Sequence, residues 1–274
     1  MIDLHLHTSA SDGHLAPEAL AARVAAAGVT VMAVADHDTV AGLDRAEAAA
    51  AAHGVRFVPG IEITAVEGGR DVHVLGYFFD RAHRPLAAFL DAQRADRRRR
   101  VREMTDRLAA LGMPIDLGDV VARQGGHAIG RPVIAAALVR AGYVASVAEA
   151  FDKYLDSSGA AFVPRQGAPV RDVVQVIHEA GGLASMAHPG LHRDPGLLAR
   201  VTDADGGPDA IEVFHTDHDA AVTARLEAFA RDRGLLVTGG SDFHGDGAGR
   251  VVGLGRIHLP AADFDRLARK ARGA

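Results

Sequence analysis

An α/β fold, a mostly parallel sheet or barrel of seven strands, is predicted from three features of the sequence. Seven apolar runs of strand length recur along the chain, and helical patterns separate most of them. Polar residues stand at or just past the C-terminal ends of those runs, where parallel α/β barrels and open sheets carry their chemistry. Seven strands rather than eight point to an incomplete or distorted barrel.

The first run, Ile2–Leu6, leads into His5-Leu6-His7. Pro17–Ala27 reads as a helix: proline lacks an N–H that a first turn does not use, and Gly28 accepts the backbone that ends the last turn. Val29–Ala35 is the second strand, followed by a helix over Leu43–His53 that stops at Gly54. Arg56–Ile63 and Val72–Phe79 are the third and fourth strands. The stretch from Thr64 to Asp71 is too short for a parallel crossover, and Glu67-Gly68-Gly69-Arg70 reads as a hairpin turn, so these two strands are expected to be antiparallel neighbours. From Arg81 to Val163 the strand signal vanishes. Leu86–Leu111, Leu117–Arg123, Pro132–Ala141 and Val147–Leu155 read as helices of a cap. The expected division is therefore a barrel from residues 1–80 and 164–274 with a helical insertion at 81–163. A helix over Val170–Ala180, strands at Leu183–Ala187 and Ala210–Phe214, a helix over Ala220–Arg233 and a strand at Leu235–Thr238 complete the pattern.

The bulk numbers narrow the function. The chain has 274 residues, 48% hydrophobic and 24% charged, ordinary for an enzyme with a sizeable core. Its net charge of −5 argues against a protein that coats nucleic acid, and no extended nucleic-acid-binding surface is evident. Oligomeric state is not readable. No apolar run approaches the roughly 20 residues that span a bilayer, so no membrane association is expected. The start of the chain has no signal-peptide features, and a cytoplasmic location is the expectation. There is no cysteine, so any metal must be held by His, Asp and Glu.

Such residues recur. His5, His7, His37, Glu62, His73, His188, Asp242 and His244 all end apolar runs, and Asp12 lies just beyond the first. His-x-His on a strand puts both imidazoles on one face, within reach of one ion at roughly 2.0–2.2 Å. A buried, unpaired carboxylate costs several kcal/mol, so Glu62 after Val58-Pro59-Gly60-Ile61 needs a cation nearby. Asp3, Asp36 and Asp38 are candidates for orienting ligands. His53, His83, His178 and His258 read as surface or terminal residues, and His14 and His192 are left outside the set.

His5-Leu6-His7-Thr8 with Ser11-Asp12-Gly13, Ala35-Asp36-His37-Asp38, Gly60-Ile61-Glu62, Val72-His73-Val74-Leu75-Gly76, Ala187-His188-Pro189 and Gly240-Ser241-Asp242-Phe243-His244 resemble the PHP (polymerase and histidinol phosphatase) family in order and spacing. The chain resembles in particular the subgroup of 3′,5′-nucleotide bisphosphate phosphatases and 5′-to-3′ exoribonucleases. The resemblance implies a distorted seven-stranded barrel holding up to three divalent ions, often Mn2+, with Fe2+ or Zn2+ as alternatives. Carried over residue by residue, His5, His7, Glu62 and Asp242 would surround one ion. Glu62, His73 and His188 would hold a second, and Asp12, His37 and His244 a third.

Three divalent ions bring six positive charges and the three carboxylates return three, leaving about three to attract a phosphomonoester dianion. The expected reaction is attack on phosphorus by a hydroxide bridging two ions, without a covalent intermediate. Arg94 and Arg97 share a helix face, and the resemblance implies that they face substrate together with Arg131 of Gly130-Arg131-Pro132. Arg98, Arg99, Arg100 and Arg102 read as a solvated helix face. Arg165 stands where relatives often carry lysine and is a candidate for a second phosphate. His218, with His215 as its competitor, is a candidate to bind phosphate or protonate the leaving oxygen. The expected substrate is a bisphosphonucleotide or a short 5′-phosphorylated oligonucleotide, with histidinol phosphate or another small phosphomonoester as the alternative. An amidohydrolase with a carboxylated lysine is a further alternative, yet the chain's lysines, Lys153 and Lys270, lie in the insertion and at the terminus. The remaining alternative is a non-catalytic metal-binding module.

Overall fold

A single sheet runs in sequence order through β1 (Ile2–Leu6), β2 (Val31–Val34), β3 (Arg56–Glu67), β4 (Arg70–Tyr77), β5 (Leu183–Met186), β6 (Ala210–His215) and β7 (Leu236–Gly240). The computed structural model describes residues 1–118, 130–192, 194, 196–245, 254–257 and 259–273. Just past β7 the chain returns to β1. His7 N–H donates to Phe243 O at 3.0 Å and Asp242 N–H to His5 O at 2.8 Å, which nearly closes the barrel.

Pairing is parallel for β1–β2, β2–β3, β5–β6 and β6–β7, whereas β4 is antiparallel to both β3 and β5. The hairpin expected between β3 and β4 is present, with Gly68 and Gly69 both at positive φ (56° and 76°), the turn that matches the twist of two antiparallel strands. β3 runs past its expected end at Ile63 to Glu67, while β4 is shifted from the expected Val72–Phe79 to Arg70–Tyr77. Backbone pairing continues from Thr64↔His73, past buried Ala65 and Val72, out to Glu67↔Arg70 beside the exposed Gly68-Gly69 turn.

Alternate strand residues separate into two apolar clusters. Met32, Val34, Val74, Met186 and Ile211 pack with Leu20 and Val24 of α1 (Pro17–Ala26), Leu43 of α2 (Leu43–Ala52) and other helical residues. Ala33, Ala35, Leu75, Tyr77, Leu183 and Ala210 gather in the second cluster, with Phe264 and Leu267 of the C-terminal helix Ala261–Arg272. His73 and Glu212 share the parity of that second set, so the period of two turns both to that cluster's side of the sheet.

The chain divides into two compact units, Met1–Leu90 with Ala168–Ala274, and Asp91–Gly167; the boundary falls within α3 (Arg84–Ala110). The second unit contains the rest of α3, α4 (Arg131–Arg140) and α5 (Val147–Ala150), which runs into a π-helical turn, Phe151–Leu155. Its own core includes Met104, Leu108, Ile134, Leu138, Leu155 and Val163. The single α-helix expected over Val147–Leu155 is thus one α turn, capped by Ser146 Oγ on Glu149 N–H at 3.1 Å, followed by the wider turn. The expected helix over Leu117–Arg123 lies outside the described residues from position 119 onward, as does His258.

Arg100 corrects an expectation. It is buried, not solvated, because its Nε–H donates to Val163 O at 3.1 Å; Arg99 instead ties Asp96 to Glu103 along the helix. The first unit is completed by α6 (Val170–Glu179), α7 (Leu197–Thr202), α8 (Ala220–Arg233) and α9 (Ala261–Arg272). No helix among the described residues is long and apolar enough to cross a membrane.

Candidate metal centre

Glu62, on β3, is the middle of the site. Its Oε2 lies 3.4 Å from His5 Nε2, 3.4 Å from His7 Nε2 and 3.1 Å from His37 Nδ1. Its Oε1 lies 2.7 Å from His73 Nδ1 and 3.2 Å from His188 Nε2. Five imidazoles from four segments of the first unit therefore surround one carboxylate that is 1% exposed.

Two further carboxylates complete the cluster. Asp242 Oδ1 stands 3.5 Å from His5 Nε2 and 3.1 Å from His7 Nε2. Asp12 approaches His244 Nε2 at 3.3 Å through Oδ1 and His37 Nε2 at 3.6 Å through Oδ2. The donor atoms of His5, His7 and Asp242, of His37, Glu62 and His73, and of His7, Asp12, His37 and His244 are each close enough to enclose one cation. All nine residues expected to be ligands are thus brought together.

Backbone geometry holds them there. His188 (φ 28°) and Asp242 (φ 53°) both lie in the left-handed region that side chains seldom adopt, a strain tolerated where the surroundings over-determine it. Asp36 accepts hydrogen bonds from Thr8 N–H (2.7 Å), Thr8 Oγ1 (2.6 Å) and Ser11 Oγ (2.5 Å), which shapes the loop that presents Asp12. Asp38 Oδ1 accepts Thr64 N–H at 3.1 Å, and Asp3 Oδ1 accepts Ser241 N–H at 2.9 Å beside Asp242. His244 places Nδ1 2.8 Å from the Asp242 carbonyl; donation there leaves Nε2 toward Asp12.

The electrostatics fit a cation-binding pocket. Burial would raise the Glu62 carboxyl, but His37, His73 and His5 overcome it and hold it well below the carboxylate range. Asp242 behaves likewise under His5, His215 and His7, and Asp12 is lowered by His37, His244 and His7 against its own burial. Burial pushes His37 down to about 3, leaving a neutral ring with a lone pair to offer. His244, despite burial, is raised to about 9 by Asp12. Asp3 is raised to about 6 by burial.

Buried ring nitrogens supply the test of fit. His5 Nε2, both nitrogens of His7, His37 Nδ1 and His188 Nδ1 have no hydrogen-bond partner among the described residues. Buried polar groups are ordinarily satisfied, and an all-nitrogen-and-oxygen donor set around three carboxylates is what divalent ions take. No lysine joins them: Lys153 pairs with Glu149 at 2.6 Å on the surface of the second unit, and Lys270 is exposed on α9.

Two participants were not singled out from the sequence. Glu212, fully buried in β6, sets Oε1 2.9 Å from His5 Nδ1 and accepts His188 N–H on Oε2 at 2.8 Å. His215, considered only as a rival to His218, points Nε2 at Asp242 Oδ2 from 3.5 Å while Nδ1 accepts Asp217 N–H at 3.1 Å. The signal for Glu212 was available: a carboxylate inside the apolar run Ile211-Glu212-Val213 obeys the same burial argument as Glu62.

His218 lies in the first unit with both ring nitrogens on the backbone. Nδ1 meets Val213 O at 2.8 Å and Nε2 accepts Gly190 N–H at 3.1 Å, a neutral form consistent with a pKa lowered by burial. The candidate arginines lie in the second unit. Arg94 pairs with Asp91, and Arg131 stands 4.0 Å from Asp156 with its guanidinium 5.8 Å from the Phe151 ring centre. A Cβ at Gly130 would stand 3.5 Å from Arg97 Nη1, so Arg97 reaches the start of α4; Arg165 is half-buried.

The chain is similar to known proteins over most of its length. The PHP domain model matches residues 3–115. A 5′-3′ exoribonuclease of Haemophilus influenzae is 36% identical, the match covering 88% of this chain and 89% of that one. A 3′,5′-nucleoside bisphosphate phosphatase of Chromobacterium violaceum is 37% identical over 92% of this chain and 90% of its own. A solved structure from Bifidobacterium adolescentis, bearing the name of a metal-dependent phosphoesterase, superposes with a TM-score of 0.85 at 33% identity, covering 98% of this chain and 96% of that one.

Proposed function

The chain belongs to the PHP domain family, and on that premise we propose that it is a metal-dependent phosphoesterase acting on a 5′-phosphorylated nucleotide. The proposed reaction is removal of the 5′-phosphate of a 3′,5′-bisphosphonucleotide or cleavage of a short 5′-phosphorylated oligonucleotide. The carrying observation is the Glu62 carboxylate ringed by five imidazoles, with Asp242 on one side of the cluster and Asp12 on another. His5, His7, Glu62 and Asp242 would hold a first divalent ion, Glu62, His73 and His188 a second, and Asp12, His37 and His244 a third, with manganese the expected metal. Bound divalent ions supply positive charge to phosphoryl oxygens and acidify water in the site.

The residues divide the remaining work by depth. His5, His7 and Glu62 form a sealed floor at 0–1% exposure, while the Asp12 and His73 side chains are 30% and 27% exposed. A phosphate therefore meets the Asp12 and His73 rim first. Neutral His37 keeps its lone pair for a cation, and the left-handed backbone at His188 and Asp242 fixes their directions before any ligand arrives. Arg94, Arg97, Arg131 and Arg165 are proposed to grip phosphate, for which a planar guanidinium offers two parallel donors. His218 contributes to proton transfer only by releasing Gly190 N–H; in its observed pose it steadies the loop after His188.

The test is phosphate release by manganese-reloaded protein from adenosine 3′,5′-bisphosphate, AMP, a 5′-phosphorylated trinucleotide and histidinol phosphate. Preference for the bisphosphate or the trinucleotide, abolished in His188→Ala, is expected. Activity on histidinol phosphate alone would overturn the nucleotide reading, and no release from any of the four would overturn the phosphoesterase reading.

A further inference from the structure

We propose that Glu212 is the positioning residue of the metal centre, joining a ligand of the first ion to a ligand of the second; the inference rests on the metal-site reading above. One carboxylate oxygen of Glu212 faces His5 Nδ1 at 2.9 Å and the other accepts His188 N–H at 2.8 Å. The side chain is fully buried, so it has no water to turn to and these contacts set its orientation.

Each contact has a separate consequence. A carboxylate at Nδ1 holds the hydrogen on that nitrogen, so the His5 lone pair stays on Nε2, which faces Glu62 at 3.4 Å and Asp242 at 3.5 Å. The second contact anchors His188 at φ 28°, a conformation that a non-glycine residue keeps only under restraint. A displacement of Glu212 therefore disturbs both halves of the centre at once.

Glu212 is also placed where it would itself be a ligand: donor atoms of His5, Glu212 and His215 lie within 4.8 Å of one another. The neighbouring nitrogens argue for the positioning role. His215 Nδ1 is engaged by Asp217 N–H, and its Nε2 turns to Asp242 Oδ2. His5 Nδ1 faces Glu212 directly, and Glu212 Oε2 is taken by a backbone N–H that no cation can replace.

The experiment is manganese titration of chelator-stripped wild type, Glu212→Gln and Asp209→Asn, read as bound metal per chain. Asp209 is a control, a partly buried carboxylate that bonds His178 and Ala184 N–H, away from the cluster. Glu212→Gln keeps the shape but sets an amide donor against either the His5 ring or the His188 N–H. We expect its half-loading concentration to rise about 10–100-fold at unchanged saturating stoichiometry, with Asp209→Asn like wild type. Loading of Glu212→Gln at the wild-type concentration would overturn the proposal, and so would saturation with one ion fewer, which would make Glu212 a ligand. Wild-type loading that His188→Ala leaves untouched would instead overturn the metal-site reading itself. Should Glu212→Gln not fold, 15N-histidine spectra of zinc-loaded wild type decide: a hydrogen on His5 Nδ1 is expected, and a bare Nδ1 would overturn the proposal.

Discussion

A Cβ built on Gly240 would stand 2.3 Å from the backbone nitrogen of His5. The last barrel strand thus passes the first so closely that no side chain fits between them, at the level where the histidines of the proposed metal centre begin. Gly240→Ala must separate backbone from backbone, because the obstructing atoms are not the flexible end of a side chain. Overpacking of this kind costs roughly 1–3 kcal/mol, and the strain falls on His5 and Asp242 together. We expect a lower unfolding midpoint in urea and a weaker metal affinity in the same variant.

Chelation should destabilise the protein and readdition should restore it. Ions that bind only the folded chain stabilise it by about 2.7 kcal/mol at a hundredfold excess over Kd. Glu62→Gln should erase most of that difference, since one carboxylate serves the proposed first and second positions. Its kcat should fall by more than the roughly 10–100-fold typical of outer partners. Thermal melts with and without manganese, set beside kcat for the same samples, check both expectations.

Arg131→Ala and Arg97→Ala should each lower kcat/KM by roughly 10–100-fold, the worth of a hydrogen bond to a charged group. Their thermal stability should stay near wild type. Arg131→Lys should recover part of the loss but not all, because an ammonium cannot present two parallel donors. Steady-state kinetics on the bisphosphonucleotide, with melting curves as control, carry this test.

His178 and Asp209 form a pair 2.7 Å apart whose effect on stability depends on pH. The hydrogen bond to Asp209 raises His178, while Asp209 is lowered by His178 and Ala184 N–H against the effect of its burial. Stability from a raised histidine is full below its unfolded pKa of about 6.5 and lost as pH rises through the folded value. Stability from a lowered carboxylate is full above about 3.9 and lost as pH falls through the folded value. The pair therefore contributes most between about pH 4 and 6.5, at the ~0–1 kcal/mol scale of a partly exposed ion pair. Urea unfolding of wild type and His178→Gln, both in chelator, should show a larger gap at pH 5 than at pH 8.5.

The strands and most positions of the proposed metal centre were legible because both follow local rules. Apolar runs end where the barrel opens, so His37, His188 and Asp242 could be read just past the ends of those runs, His5 near the end of its own and His73 near the start of its. Glu212 could not be read that way, since it sits inside its run and its role depends on which neighbours β6 acquires. Arg100 was misjudged for a related reason: an arginine among arginines reads as solvated until the carbonyl of Val163 arrives from a distant segment. The extension of β3 beyond Ile63 and the shift of β4 toward Arg70 follow the backbone pairing of the hairpin, to which hydrophobicity is blind. The π turn at Phe151–Leu155 likewise leaves no mark on a helical pattern.

The contrast between the sealed His5–His7–Glu62 floor and the open Asp12 and His73 rim has a consequence for timing. On the proposed reading, an ion seated on the floor leaves only after the outer positions have emptied. Exchange would then run from the rim inward, with the outer ions following the metals of the surrounding solution within an assay. The inner ion would keep the identity it had when the centre was assembled, so two preparations with equal total metal could differ in their history.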